Sequence, residues 1–139
     1  MSKIIEISEF FGERLAPEDD WYKHDGWRVT ADDQTVTVGI SNYQNCCERW
    51  GYLNSDDDPG KYVGAELLRV ERVGEYETVA LVTSMPGIPE YGLDDGAAIF
   101  VRIVTDRGTF TLAVYNGHNG YYGHYAVVIS RELNISETL

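Results

Sequence analysis

The sequence predicts a mainly β fold, or an α+β fold with one short helix. The architecture expected is a twisted antiparallel sheet, a sandwich or a half-open barrel of about seven strands. Three observations carry this. Short segments alternate apolar and polar residues, the pattern of strands with one face buried. Those segments are rich in β-branched and aromatic residues, and the chain holds ten tyrosines. Turn signals built from Gly, Asp and Asn separate them at short intervals. The 139 residues suit one domain over residues 1–139.

Residues 3–11 open the fold: Ile5 and Ile7 alternate with Glu6 and Ser8, as in a strand, with an early helix through Phe10 and Phe11 as the competing reading. Residues 12–26 carry Pro17, Glu18, Asp19, Asp20, Asp25 and Gly26 and read as a polar loop. Trp27–Thr30 and Thr35–Ile40 flank Ala31-Asp32-Asp33-Gln34 as a hairpin. The stretch from Ser41 to Gly51 breaks the rhythm and predicts a turn or one short helix, and residues 54–60 an exposed loop. Residues 62–73 lean to strand, and Thr78–Thr83 reads as a mostly apolar strand. Two prolines and three glycines make 85–96 a loop. Ala97–Thr105 and Thr109–Tyr115, joined by Asp106-Arg107-Gly108, form a second hairpin. A turn at 116–120 and a last strand over 121–130 complete a three-strand meander, and the polar segment 131–139 is expected to fray.

The formal charge is −12, from 23 acidic and 11 basic residues. Such a surface repels phosphate backbones, so direct nucleic-acid binding is not expected. A basic protein surface is the natural partner, and an acidic protein can enter a nucleic-acid channel by imitating its charge. No segment has the length of apolar residues that a membrane span needs, and Glu6 and Glu9 fall where a signal peptide is apolar. The expected location is the cytoplasm. There, the adjacent Cys46 and Cys47 should be free thiols, since neighbouring cysteines close a strained ring.

Two segments carry the candidate chemistry. In Asn45-Cys46-Cys47-Glu48, a thiolate paired in space with His118 or His124 would make a nucleophile. Packing of one cysteine as a small apolar residue is the simpler reading. Four soft metal ligands from Cys46, Cys47, His118 and His124 are disfavoured, because adjacent cysteines chelate poorly and the His-x5-His spacing is loose. The Asp56-Asp57-Asp58 run lacks the spacing of a calcium loop. The second segment, Asn116 to Tyr125, gathers His118, Asn119, Gly120, Tyr121, Tyr122, His124 and Tyr125 into a stacking and hydrogen-bonding surface. It suits a base, a nucleotide or a flat protein patch, and equally a wide turn covering a sheet edge. Phosphate cradles, a nucleophile elbow and a His-Glu-x-x-His helix are all missing from the sequence. No catalytic residue, metal or cofactor is therefore predicted. The binding residues expected are Asn45, Cys46, Cys47, Glu48, His118, Asn119, Gly120, Tyr121, Tyr122 and His124.

Cys46-Cys47-Glu48 after a hairpin, Gly64-Ala65-Glu66-Leu67 in the middle and Asn119-Gly120-Tyr121-Tyr122 near the end resemble a domain family of unknown function found in small phage and bacterial proteins. The resemblance covers roughly residues 27–130. Asn45 stands where that family often has an acid, and Gly123 where it often has a serine. The resemblance implies a β-rich domain and a phage origin, and no activity.

Binding is thus expected over catalysis. The first expectation is an acidic, phage-encoded protein acting on a basic host or defence protein in the host cytoplasm. A sponge for a signalling nucleotide is the alternative, needing Arg49, Lys61, Arg102 or Arg107 beside the tyrosines. A Cys/His enzyme comes third, and exposed sheet edges would allow a homo-oligomer.

Overall fold

The computed structural model describes residues 2–15, 22–44, 47–89, 92–120 and 122–139. Among them, nine strands form two open antiparallel sheets with one α-helix, a mainly β sandwich of the class the alternation predicts. The first sheet has the order β1 (Ile4–Glu13), β2 (His24–Ala31), β3 (Thr35–Ser41), β8 (Tyr125–Ile129) and β9 (Asn134–Thr138). The second has the order β4 (Arg49–Asn54), β7 (Gly108–Gly117), β6 (Ala97–Thr105) and β5 (Leu67–Arg72). Helix α1 spans Glu75–Ser84, and a short 3-10 turn spans Pro59–Tyr62.

Alternation explains the layers. Val29, Val36, Val38, Ile40 and Val128 of the first sheet meet Ile99, Val101, Ile103, Leu112 and Val114 of the second in one buried core. Both hairpins form as their turns predict, with Thr30 opposite Thr35 and Thr105 opposite Gly108. Strand β1 forms one edge of the first sheet. Its register shifts between Phe10 and Glu13, where Gly12 has φ 64°, a left-handed conformation that a β-carbon disfavours. Phe10 thereby packs over Gly39, where an added β-carbon would lie 2.9 Å from the ring tip.

Several expectations are corrected. Thr78–Thr83 is helical: a helix satisfies its backbone within the segment, so this run packs on a face of the second sheet instead of pairing at an edge. Leu81, Val82 and Met85 join Val73, Leu93 and Phe100 in a second, smaller core outside the second sheet. The break at 41–51 ends in β4, because Gly51 is a packing site and not a breaker: a β-carbon there would meet the Tyr115 hydroxyl at 2.5 Å. Of the stretch expected as a loop over 12–26, Glu13 and His24 instead belong to β1 and β2, and Pro17, Glu18, Asp19 and Asp20 lie outside the described residues. The three-strand meander does not form. With β4 and β6 beside β7, the next strand has no edge there, and β8 inserts between β3 and β9 in the other sheet. Residues 134–138 do not fray. They form the β9 ladder, and Leu139 exchanges backbone hydrogen bonds with His124 at 3.0 and 2.7 Å. Among the described residues, no helix is long and apolar enough to cross a membrane.

Candidate functional site

The two segments singled out in the sequence meet where the chain passes between the sheets. Glu48 lies just before β4 and His124 just before β8. His124 Nε2 is 3.2 Å from Glu48 Oε1, and neither side chain has any exposed surface. On the other side of the ring, His124 Nδ1 is 2.6 Å from the Ser41 carbonyl and 3.2 Å from Ser41 Oγ. A carbonyl can only accept, so Nδ1 carries a proton. The Nε2–Oε1 bond then holds one more proton, on the imidazole or on the carboxyl. The Tyr125 N–H donates to Ser41 Oγ at 2.9 Å and fixes the hydroxyl.

Aromatic rings close over this pair. Tyr43 stacks on His124 with centroids 4.3 Å apart and planes 6° from parallel, and Trp50 stacks at 5.3 Å and 28°. Tyr22 touches Tyr43 and Tyr125 at 5.1 and 4.8 Å. The Tyr43 hydroxyl donates to the Gly123 carbonyl. Burial is the main reason its phenol is pushed above the ordinary tyrosine range, with Tyr22 and Tyr125 adding to it. Trp50 Nε1–H donates to Gln44 Oε1 at 2.8 Å, and Gln44 reaches the Glu48 carbonyl at 3.1 Å.

Among the described residues, His118, Asn119 and Gly120 do not gather there. His118 lies at the other end of its turn. Its backbone bonds Leu93 and Asp95, and its Nδ1 accepts the Gly120 N–H at 2.9 Å. Asn119 and Gly120 are exposed. The Tyr122 carbonyl accepts from the buried Asn116 amide, which also bonds the Leu139 carbonyl. Asn45, Cys46 and Tyr121 lie outside the described residues. Cys47 is exposed and disulfide-bonded, which corrects the expectation of a free thiol there. Compartment decides whether oxidant is available, whereas local backbone geometry decides whether two sulfurs meet. Among the described residues, no group of three or more His, Cys, Asp and Glu could hold a metal ion.

Sequence reasoning missed Ser41, Tyr43, Trp50 and Tyr22. The available signal was the pair of aromatic residues, Tyr43 and Trp50, flanking the Cys-Cys-Glu segment.

A family model described as a domain of unknown function (DUF7448) matches residues 2–128. The chain belongs to this family. No curated protein and no solved structure matches the chain. The DUF7448 match starts well before residue 27, so it takes in β1 and its bulge as well as the hairpins. The buried pair of this DUF7448 domain also lies inside the matched span, since it joins residues 48 and 124.

A separate concavity of the DUF7448 domain lies on the outer face of the second sheet. It is a groove of about 840 Å³ between α1 and the ends of β5 and β6. Val73, Leu93 and Ala98 line its floor, Val79 and Val82 its helical wall, and Glu75, Asp94 and Glu137 its rim.

Proposed function

We propose that this DUF7448 domain is a non-enzymatic binding protein that docks an acidic surface on a basic protein. The observation that carries the reading is how the chain distributes its charge. At least six of its eleven cations (Arg28, Lys61, Arg69, Arg72, Arg102 and Arg131) are held in ion pairs with its own carboxylates. The excess acid therefore faces outward with few free cations to offset it, which favours steering towards a positive surface. The setting proposed is a phage product acting on a host or defence protein, and the family resemblance alone supports that part.

Catalysis has less support. The strongest acid–base constellation, Glu48 with His124, has no exposed atom through which to reach a substrate. A nucleotide sponge also has less support, because Tyr22, Tyr43 and Tyr125 pack on one another and the groove beside α1 is lined by other residues.

The test is capture of partners by tagged protein from host lysate at low salt, with proteins and small molecules identified by mass spectrometry. The expected outcome is one basic protein, released as salt rises. A co-purifying nucleotide without a protein, or capture indifferent to salt, would overturn the proposal.

A further inference from the structure

Helix α1 is held by little. Isolated helices of its ten residues are marginal in water. Four of them, Thr78, Val79, Val82 and Thr83, are β-branched and lose side-chain freedom in a helix. Its N-cap is Gly74, with no side chain to bond the first N–H groups. No residue of α1 is buried. Leu81 and Val82 touch the second core, and Glu77 pairs with Arg102 of β6. The other apolar residues are left to solvent: Tyr76 is 92% exposed and Val79 65%.

Beside this helix runs the groove, apolar in its floor and charged at its rim. Its charged lining residues are Glu75, Asp94, Glu137 and Arg72, three carboxylates to one guanidinium. That guanidinium is already engaged, since Arg72 makes a bidentate bond to Glu137 at 2.9 and 2.7 Å. The groove thus offers apolar contact inside and unanswered negative charge outside.

We infer that this groove takes a basic, amphipathic segment of a partner protein, apolar side against Val79, Val82 and Ala98, cations towards Glu75 and Asp94. The inference rests on the binding reading above and names its surface. Charge selects the occupant. A second copy of the chain would bring another −12, and nucleic acid or an anionic membrane would bring phosphate against carboxylate. A cationic segment with one apolar face meets both properties of the groove, in the manner of a helix laid in a groove.

The experiment uses the full chain and a fluorescein-labelled amphipathic peptide of Leu and Lys, about 18 residues long. Binding is followed by anisotropy at salt near 20 mM and near 300 mM, roughly two-fold either side of a 10 Å Debye length. The expected result is saturable binding that weakens with salt. Glu75→Lys with Asp94→Lys should weaken it about tenfold or more, and Val79→Asp, which keeps the acid and removes apolar contact, by about threefold or more. Asp57→Lys with Asp58→Lys makes the same charge change at the opposite end of the β6–β7 hairpin. It should cost about twofold or less, the general field alone. Amide shifts on adding peptide should centre on Val79 and Ala98. If both charge-reversed pairs weaken binding equally, or if the shifts centre on another face, the groove is wrong and the acidic-surface reading stands. If no cationic peptide binds at low salt, both fall.

Discussion

His124 spends both ring nitrogens and both ring faces inside the protein: Ser41 and Glu48 hold its edges, Tyr43 and Trp50 its faces. Removing one side of a buried hydrogen-bonded pair leaves the other without its partner, which costs more than the bond itself contributes. His124→Ala should therefore lower unfolding free energy by about 3 kcal/mol in urea denaturation, from the lost hydrogen bonds, the lost stacking and the cavity together. His118→Ala, in a half-exposed turn, should cost about 1 kcal/mol or less. An equal cost for the two would remove His124 from its central place. Glu48 and His124 were each legible as candidates from residue type and neighbours. Their pairing was not, because 76 residues separate them and only the passage of the chain between sheets joins them. Ser41 gave no sign, since a serine after a strand usually starts a turn, and Tyr43 was marked only by standing with Trp50 beside the Cys-Cys-Glu segment.

Among the elements, hairpins were read correctly because period and turn chemistry are local, as in Ala31–Gln34 and Asp106–Gly108. The failures were elements decided by their surroundings. Thr78–Thr83 has a strand-like composition, yet it packs as a helix on a sheet face, with Leu81 and Val82 against Val73, Leu93 and Phe100. Residues 134–138 are polar and looked loose, yet β8 offers them an edge. One tie spans these two regions: Arg72 at the end of β5 grips Glu137 of β9, joining the edges of the two sheets. The hydrogen bonds from Arg72 hold the Glu137 carboxyl below its usual 4.5. A depressed carboxylate pKa stabilises the fold above the unfolded value, and that contribution is lost as pH falls through the folded one. The melting temperature of Glu137→Gln should thus lie below that of the parent at neutral pH, with the gap closing as pH drops beneath the ordinary carboxylate range. Because both side chains are more than a third exposed, the neutral-pH gap should reflect about 1 kcal/mol or less. A gap that stays constant down to strongly acidic pH would show that the ion pair is not its source.

At the scale of the whole molecule, charge and topology set the behaviour. Twelve uncompensated negative charges repel one another within a small particle, whereas the surface ion pairs each contribute little. Salt weakens both effects, and the repulsion is the larger. The melting temperature should accordingly rise between about 20 mM and about 0.3 M salt, where the Debye length falls to roughly a quarter of its low-salt reach. Calorimetry that finds a steady fall instead would mean that the ion-pair network dominates. Charge sign and the sandwich class were legible at this scale, since both follow from sums and periods. Which strands share a sheet was not, because it depends on edges occupied by distant strands. That order has a temporal side. β3 waits for β8, its partner roughly ninety residues further along the chain, so the middle of the first sheet is completed late. During synthesis, the β2–β3 hairpin emerges early with one row of backbone N–H and C=O groups unanswered. A nascent chain stalled before Tyr125 carries that open edge among its neighbours, and its vulnerability to wrong pairing ends only once β8 has left the ribosome.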